Sequence, residues 1–196
     1  AVSVMLERDG GWSFGDHPPV PLSQGLERLR DACAAVFLAL HGPFGEDGTI
    51  QAILDASRIA YTGSDAAASA LAMDKYRAKL VYRGAGVPTP DFSARWRGRT
   101  DTSVLEEASN LGEQLVVKPT RDGSSFGVAM CTGLEQARAA LAAIEGEALV
   151  EARVRGRELT CAVIEDELGN ATALPVTELR PSEGYAFFDY AAKYTA

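Results

Sequence analysis

Cysteine is scarce in this chain of 196 residues, and the three that occur, Cys33, Cys131 and Cys161, are scattered without a Cys-x-x-Cys pair. This argues against a secreted disulfide framework and against structural zinc. Basic residues are in deficit, 19 against 27 acidic, for a net charge of −8. A whole-chain basic footprint for nucleic acid is excluded, while a local cationic pocket is not. Long apolar runs are missing too. Ala32 to Leu40 is the longest at nine residues, against about 20 needed to span a bilayer. The opening Ala1-Val2-Ser3-Val4-Met5 lacks the basic and apolar regions of a signal peptide. The expectation is a cytoplasmic protein with neither nucleic acid nor membrane as partner. Neither Gly-x-x-x-x-Gly-Lys-Ser/Thr nor Gly-x-Gly-x-x-Gly occurs, so a P-loop NTPase and a Rossmann dinucleotide site are both unsupported.

What is present suffices for a core, with 46% apolar and 23% charged residues. A chain of this length buries about 70% of its unfolded surface and needs no covalent staples. Strands are expected over 3–6 and 34–40, the second continuous enough for burial on both faces. A helix over 23–32 leads into that second strand. The Gly-rich loop 41–48 follows it, and Ile50, Ile53 and Leu54 then recur at helical spacing. Ser64 is expected to cap an Ala-rich helix to Met73 that continues, kinked, to Arg83. Further on, a helix is expected over 102–110 and strands over 114–118 and 128–131. Thr132 and Glu135 read as a capping box. Strands over 148–151, 158–165 and 171–179 complete the pattern. The fold class is α/β and α+β.

Gly123-Ser124-Ser125-Phe126-Gly127 lies between two expected strands, so it reads as a hairpin flap whose backbone N–H groups and hydroxyls could approach phosphate. Lys118 ends an apolar strand beside it and suits phosphate as a point charge. Lys75, after Met73-Asp74, is a second such lysine. Glu151 and Glu158 follow a third strand, where a carboxylate can hold ribose hydroxyls and Leu149, Val150 and Val154 suit an adenine face. His41 sits where ligands collect at strand ends, Glu46 could meet an ammonium, and Asp47 is explained as a helix cap.

Taken jointly, these segments resemble the D-alanine–D-alanine ligases, ATP-grasp enzymes of peptidoglycan precursor synthesis. The resemblance runs from His41-Gly42-Pro43-Phe44-Gly45-Glu46-Asp47-Gly48-Thr49 through Tyr61-Thr62-Gly63-Ser64 and Met73-Asp74-Lys75. It continues through Val117-Lys118-Pro119, the flap, Leu149-Val150-Glu151, Gly156-Arg157-Glu158 and Phe188-Asp189-Tyr190-Ala191-Ala192-Lys193-Tyr194. It implies an ATP-grasp fold preceded by a partial Rossmann-like N-terminal domain. Residues 1–63 would form a substrate domain, 64–150 a central subdomain carrying the flap, and 151–196 the start of a C-terminal subdomain with a closing loop.

The resemblance also implies roles. Lys75 and Lys118 would contact ATP phosphates, with Ser124 and Ser125 closing over them. Glu151 and Glu158 would address adenosine, with the backbone of Ala152 and Val154 at the adenine edge. His41 and Glu46 would help hold the first D-alanine. Lys193 and Tyr194 would lie on the closing loop, Tyr194 bonded with Ser124 as the catalytic pair. The Lys193-Tyr194 pair favours D-alanine over D-lactate as second substrate, because the lactate-using ligases change this loop. The implied reaction joins two D-alanines through an acyl phosphate. A ligase with a different second substrate and a non-catalytic nucleotide-binding fragment are the alternatives. The family's first strand with its Gly-rich loop is expected before Ala1, and its magnesium ligands beyond Ala196. A homodimer is compatible with the chain, since dimers are the commonest assembly of soluble enzymes.

Overall fold

The structure, a computed structural model, describes residues 1–180. The chain divides into two compact units, Ala1–Arg77 and a second that begins at Ala78.

In the first unit, β1 (Val4–Leu6) pairs antiparallel with β2 (Trp12–Phe14), Val4 opposite Phe14. A tight turn joins them, Glu7 N–H donating to the Gly11 carbonyl at 2.8 Å. No strand is expected at β2 from the sequence, since it has only three residues. Helix α1 (Leu22–Ala32) brings Gly25 against the Trp12 indole, where a Cβ would sit 2.9 Å from ring carbons. Only glycine allows that approach. Strand β3 (Ala35–Val36) runs parallel to β4 (Ala60–Tyr61), with α2 (Thr49–Ala56) between them in sequence. Trp12, Phe14, Leu29, Ile50, Leu54 and Ile59 form the core, each such side chain contributing about 1.5–3 kcal/mol on burial.

The strand expected over 34–40 is shorter than its apolar run. Only Ala35 and Val36 are paired, and Phe37 is 79% exposed. Val36, Leu38 and Leu40 pack on the core, while Ala35, Phe37 and Ala39 are exposed. Strand geometry turns alternate side chains to opposite faces, so a continuous apolar run need not be buried twice.

Helix α3 (Ala66–Met73) is capped by Asp65, whose Oδ1 accepts from Ala68 N–H at 2.7 Å. That replaces the Ser64 cap expected from sequence; Ser64 instead offers its carbonyl to the Ser69 hydroxyl. Asp is as strong a cap as Ser and stands one residue nearer the helix. Gly48, at φ 90°, precedes α2, and a Cβ there would collide with the Ala66 carbonyl, so this glycine lets α2 and α3 pack closely. The expected kink is a full break at Asp74 (ψ 96°), after which α4 (Lys75–Gly84) begins. Asp74 is 2% exposed, accepts from Arg77 N–H at 3.0 Å and is ion-paired with the Arg77 guanidinium.

The second unit is built on a four-stranded antiparallel sheet. Strand β5 (Phe92–Arg95), helix α5 (Asp101–Ala108), a 3-10 turn at Ser109–Leu111 and strand β6 (Gln114–Pro119) come first. Strand β7 (Ala129–Thr132), helix α6 (Gly133–Ala142) and strand β8 (Ala148–Ala152) follow, and the strand order is β5-β8-β6-β7. Val104, Leu105, Ala137 and Leu141 from the two helices pack on Leu115, Val117, Cys131 and Val150 of one sheet face. Arg95 ties β5 down, its Nη1 lying 2.8 Å from Asp101 and its Nε donating to the Gly146 carbonyl at 2.7 Å.

The capping box expected at Thr132 and Glu135 does not form. Thr132 also ends β7, where its hydroxyl accepts from Gln114 Nε2 at 3.2 Å. Gln136 Oε1 accepts the Thr132 N–H instead, at 2.9 Å. Beyond the sheet, β9 (Glu158–Thr160) pairs with β12 (Thr177–Leu179), and β10 (Val163–Glu165) with β11 (Ala171–Ala173). The two long strands expected here are each divided, the second at Pro175, which has no N–H to give a ladder. Among the described residues no helix is long and apolar enough to cross a membrane.

Candidate functional site

Antiparallel register decides what shares the sheet face opposite the helices. Phe92 and Val116 both stand opposite Glu151, and Lys118 lies two residues along β6 on the same side. Lys118 Nζ donates to Glu151 Oε1. Lys79, from α4, places its Nζ 2.9 Å from Glu151 Oε2 and donates to Thr89 Oγ1 at 2.7 Å. The same ammonium sits 4.9 Å from the centre of the Phe92 ring, a cation–π distance. One carboxylate is thus held by two ammoniums, a local charge of +1 on an acidic chain.

The three groups differ in exposure. The Lys79 and Glu151 side chains are each 8% exposed, and Lys118 is 21% exposed. Burial pushes the Lys79 ammonium down from its ordinary pKa, Glu151 acts to raise it, and the charges of Lys118 and Arg83 add to the depression. Glu151 Oε2 meets Lys79 at ion-pair distance without receiving a well-directed hydrogen bond. It keeps acceptor capacity in a buried setting.

The flap follows directly from β6. Ser124 and Ser125 adopt φ of 50° and 59°, and Gly127 of 67°. Phe126 N–H donates to the Gly123 carbonyl at 3.0 Å, and the Phe126 ring is 65% exposed. A Cβ on Gly127 would lie 2.9 Å from Pro119 Cγ, so the returning chain packs against the residue next to Lys118. Glycine at this position allows that approach, at a φ that other residues rarely adopt.

The remaining candidates fall in several places. Ala152 N–H donates to the Asp91 carbonyl at 2.9 Å, Val154 is 72% exposed, and Glu158 is exposed on β9 outside the lysine cluster. In the first unit, His41 lines a cavity of about 460 Å³ with Leu6, Trp12, Leu40 and Phe44. Glu46 is exposed, and its Oε2 accepts from Gly42 N–H at 2.6 Å. Asp47 accepts from Thr49 N–H and Phe44 N–H, both at 2.9 Å, but the N-cap of α2 is Gly48 and not the expected Asp47, which binds from one residue further out. Burial acts to raise its pKa, and the bonds from Thr49 and Phe44 outweigh that and hold it below the ordinary value. Lys75 opens α4, half-buried, in the first unit. Lys193 and Tyr194 lie outside the described residues. No group of three His, Cys, Asp or Glu among the described residues could hold a metal ion.

Lys79 is the site residue that sequence reading passed over. It stands four residues after Lys75, so the two share one helix face, a spacing that does not by itself separate a site lysine from a solvated one.

Two family models match the sequence, "D-ala D-ala ligase N-terminus" over residues 15–64 and "D-ala D-ala ligase C-terminus" over residues 81–196. The D-alanine–D-alanine ligase of Halorhodospira halophila is 44% identical over 199 aligned positions, covering 100% of this chain and 60% of that protein. Among solved structures, the D-alanyl-alanine synthetase A of Vibrio cholerae superposes with a TM-score of 0.77 at 25% identity, covering 100% of this chain and 60% of that one. The D-alanine–D-alanine ligase of Bacillus anthracis, solved with ATP, matches with a TM-score of 0.66 at 29% identity, over 86% of this chain and 56% of its own. The chain thus spans little more than half the length of the relatives it matches. Its fold is that of the ATP-grasp ligases, as the resemblance implied. On the match that alone covers residues 81–196, the chain belongs to the D-ala D-ala ligase family.

Proposed function

We propose that this chain supplies the nucleotide grip and the first-substrate loop of an ATP-dependent ligase that joins two D-alanines for peptidoglycan precursor synthesis. The observation that carries the reading is the cluster of Lys118, Glu151 and Lys79 on the sheet face not covered by α5 and α6, at the root of the Gly123–Gly127 flap. A cation under a glycine-rich flap is what a polyphosphate needs, because charge-assisted bonds in a desolvated place outweigh the loss of phosphate hydration.

In this reading Lys75 and Lys118 bind phosphate oxygens, and Ser124 and Ser125 add hydroxyl donors from the flap. Glu151 and Glu158 address the adenosine. Val154 adds backbone contacts, and Ala152, whose N–H is engaged with Asp91, would contribute through its carbonyl. His41 and Glu46 orient the first D-alanine. Lys193 and Tyr194 belong to the closing loop, Tyr194 with Ser124. The functional division is 1–63 for substrate, 64–150 for the flap-bearing subdomain and 151–196 for the start of the C-terminal one.

The carboxylate of the first D-alanine attacks the γ-phosphorus and forms an acyl phosphate, ADP departing. The amine of the second D-alanine attacks the acyl carbon and releases phosphate. This chain's lysines offset charge on the transferring group, and the flap excludes water that would hydrolyse the acyl phosphate. Magnesium belongs to the proposal as a charge-neutralising ion, but the described residues offer no cluster to hold it, so no step is assigned to it. A homodimer and a cytoplasmic setting are further parts of the reading.

The test is phosphate release by the complete protein with ATP and D-alanine, the product identified by mass. D-Alanine-dependent release with formation of D-alanyl-D-alanine is expected. ATP binding without turnover would reduce the chain to a nucleotide-binding fragment.

A further inference from the structure

A buried carboxylate held by two lysines has one more cation than neutrality requires. Glu151 needs a partner, since an ionised carboxylate that is 6% exposed is costly to leave alone. The two lysines are not equivalent as partners. Lys79 is fixed by Thr89 Oγ1 at 2.7 Å, by the Phe92 ring at 4.9 Å and by its own burial. Lys118 is the more exposed, stands at the foot of the flap, and has Glu151 as its sole hydrogen-bond and ion-pair partner among the described residues.

Resting on the nucleotide reading above, we infer that Lys79 is a positioning residue that acts through Glu151. It is the standing counter-charge that keeps the carboxylate satisfied when Lys118 leaves it for a phosphate-bearing ligand. Without Lys79, any anion that recruits Lys118 would strand a buried carboxylate, and the cost would come out of the anion's affinity. With Lys79 in place, Lys118 exchanges one anion for another and Glu151 stays paired. The arrangement therefore favours phosphate-bearing nucleotides over the neutral nucleoside.

The experiment is titration of the complete protein with ATP and with adenosine, reading the ratio of the two affinities. Lys79→Met should lower the ratio about tenfold or more, through ATP and not adenosine, and Lys79→Arg should keep it within about threefold of the parent. The distinguishing arm is Glu151→Gln, which removes the charge Lys79 is there to balance. Lys79→Met/Glu151→Gln should show the same ratio as Glu151→Gln alone. If Lys79→Met does not fold, the double variant, which strands no carboxylate, still decides the matter against Glu151→Gln. An unchanged ratio in Lys79→Met overturns the inference, as does a lower ratio in the double variant than in Glu151→Gln. A parent protein that binds no ATP overturns the nucleotide reading itself and takes the inference with it.

Discussion

The acidic side chains of the two units are used differently. In the first unit three of them serve the backbone nearby. Glu46 accepts from Gly42 N–H, Asp47 from Phe44 and Thr49 N–H, and Asp65 from Ala68 N–H, none more than four residues away. These bonds shape loops and start helices. In the second unit Glu151 accepts from Lys118 across 33 positions of sequence, and Lys79 joins it from a different element. Local bonds fix local shape, whereas a long-range cluster forms only once the sheet is assembled. The lesson is that a carboxylate bonded to backbone a few residues away shapes a turn, as Asp166 also does in the second unit, whereas Glu151 is drawn into a cluster by a partner far off in sequence.

The comparison can be broken most sharply at its centre. Glu151→Ala leaves Lys79 and Lys118 facing each other across a buried hole, and should cost about 3–5 kcal/mol of stability. Urea unfolding measures it; a loss below about 1 kcal/mol would mean that the cluster is solvated and ordinary. On the opposite sheet face, Leu141 is fully buried in the apolar core. Leu141→Ala should cost about 2–5 kcal/mol while leaving nucleotide affinity unaltered, which separates the packing face from the charged one.

Smaller effects are expected in both units. Asp65→Ala should cost about 1 kcal/mol by removing a helix cap, while Ser64→Ala stays within about 0.5 kcal/mol; equal effects would contradict the observed cap. Glu107 provides the smallest. Bonds from Ser93 and Arg99 hold its carboxyl below the ordinary 4.5. Its contribution is complete above that value and is lost as pH falls through the lowered pKa. Glu107→Gln should therefore flatten the loss of stability below pH 4.5, measured by unfolding at stepped pH.

The sequence carried the elements with long, clean patterns. The helices near 23–32, 49–57 and 102–110 and the strands at 114–118, 128–131 and 148–151 all appear close to where periodicity put them. Short strands such as Trp12–Phe14 were not legible, because three residues give too little alternation against flanking Gly and Pro. The exposed Phe37 shows the converse, an apolar run read as doubly buried. Lys118 and Glu151 were each identified, yet their pairing was not, since nothing local links positions 33 apart. Lys79 was missed because a lysine on a helix reads as a solvated face unless the sheet beneath it is known.

The central claim is that Lys118 is the cation that meets the nucleotide's phosphates. Nucleotide titration of Lys118→Ala in the complete protein tests it most directly. Loss of a charge-assisted bond of about 1.5–3 kcal/mol predicts ATP affinity weakened about tenfold or more, with adenosine affinity held. ATP binding as tight in Lys118→Ala as in the parent would contradict the account.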